Sequence, residues 1–350
     1  METRINARKR IAIILAMLMC MATLCGCSEI NIKEDSINEQ LPQIDPEEGV
    51  SKDLNVALYY RLTNENYLVS IKRNVRVRAN ERAENAIIRT LLEGVPPLSN
   101  NVSMPFASGI SIVNVSLDGD ILYITLSADF LDETKLTEVT DEAQIALDKG
   151  TINQDEYDNM VAEAQDELKT QRRLGVYSII NAITGYSTSV RVQFLVDVDG
   201  SGTGVRLERT TLGMPVQTDA GSNLLEPMGF YQEIIADPAR ILDCMLRHME
   251  SGEYEAAYML FAEGANDGTH KPTFANFEAQ MRAIGTITSH EIISSSVDAD
   301  SGINNINVTL RLQLENEREE TVNCEMQMIR DGDIYKVCYD AFRDILEGLL

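Results

Sequence analysis

The sequence predicts two successive domains, an α/β domain followed by an α+β domain with helices on a curved antiparallel sheet. Three observations carry that expectation. Strand-like and helix-like runs alternate from Leu54 to about residue 230. From Asp237 the order changes to three helices and then four strand-like runs, the pattern of helices covering one face of an antiparallel sheet. The 350 residues, 44% apolar and 24% charged, suffice for two cores of ordinary size.

The first segment reads as a signal. METRINARKR carries Arg4, Arg8, Lys9 and Arg10, and the almost wholly apolar IAIILAMLMCMATL follows from Ile11 to Leu24. Fourteen residues are short for a membrane span but suit a signal-peptide core. The run closes on Leu24-Cys25-Gly26-Cys27, which is similar to the bacterial lipobox. That resemblance implies cleavage after residue 26 and diacylglycerol on Cys27; an ordinary cleaved signal or an N-terminal anchor helix is the alternative. Loss of residues 1–26 removes four basic residues and one acidic residue, which lowers the formal charge from −25 to −28. The polar stretch 27–53, with Pro42 and Pro46 and no periodicity, reads as a tether reaching roughly 25–30 Å as a flexible coil.

Residues 54–230 form the first domain. NVALYY (Asn55–Tyr60) and Tyr67–Val75 are β-branched and aromatic strands around the turn-like TNEN. Asn80 is placed to cap the helix ERAENAIIRTLLEG, with Ala83, Ile87, Leu91 and Ala86, Ile88, Leu92 at helical spacing and Gly94 as its stop. GISIVNVSLDGDILYITLS is a hairpin turning at Asp118-Gly119. RLGVYSIINAITG is a second helix, and SVRVQFLVD a strand. Between Asp132 and Lys169 stand twelve acidic and three basic residues. This segment, 132–170, reads as two thinly apolar helices, Val139–Lys149 and Gln154–Arg173, broken at Gly150. A solvated hairpin packed by one edge is the plain reading, and a partner-docking arm the sharper one.

Residues 236–350 form the second domain. Asp237 caps and Pro238 opens an amphipathic helix with Ile241, Leu242, Met245, Leu246 and Met249 on one stripe. EYEAAYMLFAEG and TFANFEAQMRAI are two further helices. Thr286–Val297, Ile303–Leu314, Glu320–Ile329 and Ile334–Tyr339 are strands, and a short helix closes the chain. A type I′ turn at Asp331-Gly332 pairs Met328 with Tyr335, Met326 with Val337 and Cys324 with Tyr339. That register keeps one apolar face and predicts no Cys324–Cys338 disulfide. Each helix-and-strand programme is expected to fold as its own unit.

Chemistry is scarce. The strong negative charge excludes nucleic acid as a partner, because no dense basic patch exists to neutralise phosphates. The three histidines, His248, His270 and His290, share no metal-ligand spacing and read as surface residues. With Cys20 and Cys25 in the signal and Cys27 lipidated, only Cys244, Cys324 and Cys338 remain, too few for a disulfide scaffold. GYSTS lacks the second glycine of a nucleophile elbow, and GSGTG (Gly200–Gly204) has Val205 where a dinucleotide loop needs glycine. No residue pattern supports catalysis or a cofactor. DVDGSGTGVRLE places Asp197, Asp199, Ser201, Gly202 and Glu208 at positions 1, 3, 5, 6 and 12 of a calcium loop. The approach alternates like a strand, however, and position 8 is Gly204 rather than an apolar residue. A turn between strands is therefore the expectation, and no metal is assigned.

A set of motifs in order carries a family resemblance. Leu58-Tyr59-Tyr60, Leu91-Leu92-Glu93-Gly94-Val95-Pro96, Met104-Pro105 before Gly109, Ile124–Phe130, Ser178–Ile183 and Val192–Asp197 together resemble the GerMN domain of spore-formation and germination lipoproteins. Val95 is an insertion in the helix end, Ile110 stands where threonine is usual, and Thr125 replaces an acidic residue. The acidic segment 132–170 looks like an insertion. The second domain is similar in outline to NTF2-like folds. The resemblance implies a non-catalytic, lipid-anchored module at the outer face of the cytoplasmic membrane, with envelope or sporulation proteins as partners. The alternative is a small-molecule binder or enzyme using a pocket in the C-terminal domain.

Overall fold

The computed structural model describes residues 52–96, 101–216, 222–264, 270–299, 301–314 and 318–347. The signal, Cys27 and all but the end of the tether lie outside the described residues. Asp53–Leu350 forms one compact unit.

In the first half, β1 (Lys52–Leu62) and β2 (Leu68–Val77) pair around a turn that places Asn64 at φ 61°, and β1 also pairs with the short β3 (Val102–Ser103). Helix α1 (Ala83–Leu92) buries Ala86, Ile87, Ile88 and Leu91, the stripe its spacing predicts. Asn80 is not its cap: that position is Arg82, with no side-chain cap bond, while Asn80 takes φ 67° in the preceding turn. Asparagine tolerates the left-handed conformation that this turn needs.

A second sheet orders β4 (Ile112–Asp118), β5 (Ile121–Ser127), β6 (Arg191–Asp197) and β7 (Val205–Arg206). β5 and β6 run parallel, from Ile121 opposite Arg191 to Ser127 opposite Asp197. Parallel neighbours require a long crossover, and here it is a helical hairpin. α2 (Thr134–Asp148) ends ahead of Gly150, at φ 71°. α3 then runs unbroken for 33 residues, Gln154–Tyr186. The sequence suggested two helices here, divided near Arg173. No proline interrupts the run, so acidic arm and buried helix are one rod. Only its second part, from Thr170 onward, is buried.

The second half follows its expected order closely. α4 (Pro238–Glu250) is capped by Asp237, whose Oδ1 accepts the Arg240 N–H at 2.9 Å. α5 (Tyr254–Met259) and α6 (Phe274–Ile284) lead into an antiparallel meander of β8 (Gly285–Val297), β9 (Asn304–Leu314), β10 (Glu319–Asp331) and β11 (Ile334–Val337), and α7 (Tyr339–Glu347) closes it. Register shifts at Ile287/Ser289 and Ile292/Ser294 mark bulges in β8, which bend and curl a sheet. Phe261, Phe277, Tyr339 and Phe342 pack inside the second half with ring centroids 5.2–6.5 Å apart.

Both predicted hairpins form with one correction. The turn residues are Gly119-Asp120 and Gly332-Asp333, because Asp118 pairs with Ile121 and Asp331 with Ile334. In each turn only the glycine has positive φ, 61° and 66°. Glycine first with a right-handed residue second is the II′ arrangement, whereas I′ would force the aspartate to positive φ as well. Met328 consequently faces Val337 rather than Tyr335. The slip is two residues, so the apolar face survives. Cys338 donates its N–H to Gln327 O at 2.8 Å, and Cys244, Cys324 and Cys338 are free thiols.

The two halves share one continuous buried apolar cluster, from Leu54 to Phe342. Leu68 of β2 bridges Ile235, and Ala236 donates to Leu68 O at 2.7 Å. Arg240 donates to Glu233 O and Ile235 O, and its guanidinium lies 5.6 Å from the Tyr67 ring centre.

Candidate functional site

The β1–β2 turn carries Glu65, a carboxylate only 5% exposed, into contact with α4. Arg61 Nε donates to the Glu65 backbone oxygen at 2.7 Å and anchors that turn. His248 Nε2 stands 2.7 Å from Glu65 Oε1 and its Nδ1 2.6 Å from Glu253 Oε2, while Arg247 reaches Glu65 Oε2 at 3.3 Å. Burial alone would raise the Glu65 pKa. The His248 and Cys244 hydrogen bonds and the charges of Arg247 and His248 outweigh it, so the carboxyl sits below its ordinary value. His248 is raised, first by its bond to Glu65 against an opposing burial effect, then by Glu253. Burial, with Glu65 beside it, pushes the Cys244 thiol far up, which makes it a poor nucleophile.

A second histidine is also set between two carboxylates. His290 of β8 lies between Glu250 Oε1, at 2.7 Å, and Asp243 Oδ1, at 3.0 Å, with its side chain 8% exposed. Two of the three histidines are thus mostly buried, each between two carboxylates, which corrects their reading as surface residues. The carboxylates that hold them were not visible from sequence, since Glu65 and Arg247 are 182 residues apart. His270 faces the Glu263 backbone oxygen at 3.2 Å. These histidines hold elements together, and that is structural work.

Two grooves flank the first half. One, of about 590 Å³, runs between α1 and the open edge of β4, lined by Glu81, Asn85, Arg89, Leu92, Ile112 and Val113. Val113 and Leu117 of β4 are exposed, and an unpaired edge can accept another strand. The alternation of that strand was readable; its edge position was not. The other groove, of about 530 Å³, lies against the helical hairpin, between Glu133, Leu136, Leu168, Arg172 and the 3-10 turn at Thr210 and Thr211. Arg172 is buried there and donates to Leu131 O at 2.6 Å and Glu133 Oε1 at 3.2 Å.

The loop containing Asp197, Asp199 and Ser201 joins β6 to β7, strand to strand. Gly202 N–H donates to Asp197 Oδ2 at 2.9 Å and Ser201 N–H to Asp199 Oδ1 at 3.1 Å. Glu208 lies apart, accepting from Asn223 Nδ2 at 3.1 Å and Thr210 Oγ1 at 3.2 Å. The structure therefore brings three of the four sequence-selected oxygen donors together and separates the fourth.

No curated protein sequence matches the chain. Among solved structures, the tandem GerMN domains of the sporulation protein GerM from Bacillus subtilis align over 53% of this chain and 48% of theirs, at 13% identity and TM-score 0.29. This chain thus spans about half the length of that one. A protein described as a lipoprotein from Clostridium perfringens aligns over 41% of this chain and 75% of its own, at 16% identity and TM-score 0.22. One described as an NTF2-like transpeptidase from Campylobacter jejuni aligns over 29% and 98%, at 12% identity and TM-score 0.19. The family model that matches, Germane, is described as sporulation and spore germination and covers residues 57–200, from β1 through the crossover helix to the turn after β6. The segment 57–200 is a Germane, or GerMN, domain.

Proposed function

We propose that the chain is a non-catalytic binding or assembly module, lipid-anchored at Cys27 on the outer face of the cytoplasmic membrane, acting in spore formation or germination. The match of residues 57–200 to a sporulation and germination family carries this reading. The exposed β4 edge and the acidic arm supply surfaces for envelope or sporulation proteins. The lipobox supports the anchor. One acyl chain binds a membrane only marginally, whereas the two of a diacylglycerol hold stably. A mature charge of −28 would not be drawn to anionic lipid, so the anchor has to supply the attachment. The second reading, a ligand pocket or active site in the C-terminal half, meets an interior already filled by Phe261, Phe277 and Phe342.

The test has two parts. Mass spectrometry of the mature N-terminal peptide is expected to show Cys27 carrying diacylglycerol, and Cys27→Ala to abolish lipid labelling. An unmodified Cys27 or cleavage elsewhere removes the anchor. Crosslinking in intact sporulating cells is expected to capture envelope proteins reproducibly. A deletion strain that sporulates and germinates at parental efficiency removes the assignment to that process.

A further inference from the structure

We propose that the β6–β7 loop binds a calcium ion through the carboxylates of Asp197 and Asp199 and the hydroxyl of Ser201. The decisive atom is Asp197 Oδ1. Asp197 ends β6, a strand paired on both sides, and is 5% exposed. Its Oδ2 accepts the Gly202 N–H across the loop, but Oδ1 is buried and has no hydrogen-bond partner. A buried carboxylate oxygen without a donor is costly, and a cation or a proton relieves that cost.

The surroundings favour a cation. The Asp199 carboxyl lies within hydrogen-bonding reach of the Asp197 carboxyl, an acceptor facing an acceptor. Ser201 donates its N–H to Asp199 Oδ1 at 3.1 Å, and its Oγ accepts the Thr203 N–H at 3.2 Å, which holds both side chains on the loop. The remaining donors are hard oxygens, which suit calcium or magnesium and no softer metal. Gly200 and Gly202 take φ 70° and 82°, folding the chain back so that Asp197, Asp199 and Ser201 converge. Asp199 and Ser201 are exposed, so they can move apart to admit an ion. Calcium tolerates irregular coordination at 2.3–2.6 Å, whereas magnesium demands a near-ideal octahedron. Calcium is the better match.

The turn between strands and the ion site are therefore the same object. The EF-hand comparison fails at its twelfth position, because Glu208 is engaged by Asn223 and Thr210. Only two carboxylates gather, and among the described residues no trio of His, Cys, Asp or Glu forms a metal cluster. Two carboxylates with water completing the shell place the affinity at about 10⁻⁴–10⁻³ M, the range of extracellular calcium modules.

Thermal unfolding of the full-length protein with added calcium chloride tests this. The midpoint is expected to be raised by about 2–5 °C at about 10 mM calcium and to go on rising with the logarithm of its concentration. Magnesium chloride or sodium chloride at equal ionic strength is expected to produce less than half that rise. Asp199→Asn, an exposed change that leaves folding intact, is expected to abolish the calcium response, and Asp197→Asn to do the same if it folds. Glu208→Gln is expected to keep it. An unchanged midpoint in the wild-type protein, an equal rise in Asp199→Asn, or an equal rise with magnesium or sodium overturns the site.

Discussion

Gly285 joins α6 to β8 at φ 128°, and a Cβ built there would stand 2.1 Å from Gln313 O and 2.8 Å from Leu314 Cα. Backbone cannot swing aside as a flexible side chain does, and the φ itself disfavours any residue with a Cβ. Gly285→Ala is expected to cost about 2–4 kcal/mol. The check is urea unfolding at constant m-value, and a loss under 0.5 kcal/mol would show that the junction relaxes. Alternation alone begins this strand at Thr286 and gives Gly285 no role. Nothing in the local run AIGTIT reports a carbonyl 28 residues further on. The histidines were opaque for the same reason: His290 is held by Asp243 and Glu250 of another element. Residues whose role is local, such as Asp237 and Pro238 at the head of α4, were legible because capping is decided within one turn.

At the scale of elements, period and punctuation carried most of the reading. The four C-terminal strands lie within a few residues of their expected bounds, since alternation and turn residues are local signals. Hairpin turns were located but shifted by one residue, because Asp-Gly can place its glycine at either central position. The crossover was harder. The acidic run and the apolar run of α3 differ in composition, and composition suggested a boundary that backbone hydrogen bonding does not respect. The start of that rod is well made: Asn153 Oδ1 accepts the Glu156 N–H at 3.0 Å, and Glu156 Oε2 accepts the Asn153 N–H at 2.8 Å. Asn153→Ala removes one side of this capping box and is expected to cost about 1 kcal/mol locally. Because the first turns of α3 are exposed, the loss is expected in amide exchange of residues 154–160, with the global midpoint changed by under about 0.5 kcal/mol. An equal loss of protection at residues 174–183 would mean that arm and buried helix melt as one unit.

At the scale of the whole molecule, the junction of the two halves depends on charge as well as apolar contact. Glu65, His248, Arg247 and Glu253 meet where the β1–β2 turn touches α4, with Asp243 completing the set through Arg247. The folded Glu65 lies below the ordinary glutamate value of 4.5, so its contribution is present above that pH and fades as pH falls through the depressed value. The folded His248 lies above the ordinary histidine value of 6.5, so its contribution is full below that pH and is lost as pH rises through the raised value. Both partners are charged between about 4.5 and 6.5, and stability from this contact is expected to peak there. His248→Gln is expected to flatten the alkaline limb of a plot of unfolding midpoint against pH and to weaken the acid limb, because His248 is the first of the causes that lower Glu65. Glu65→Gln is expected to flatten both, because Glu65 is the largest cause of the histidine's shift. If His248→Gln leaves the alkaline limb unchanged, another group governs it and the contact is only packing. A flattened limb accompanied by an unchanged single transition would show the two halves unfolding together, as their shared apolar cluster requires.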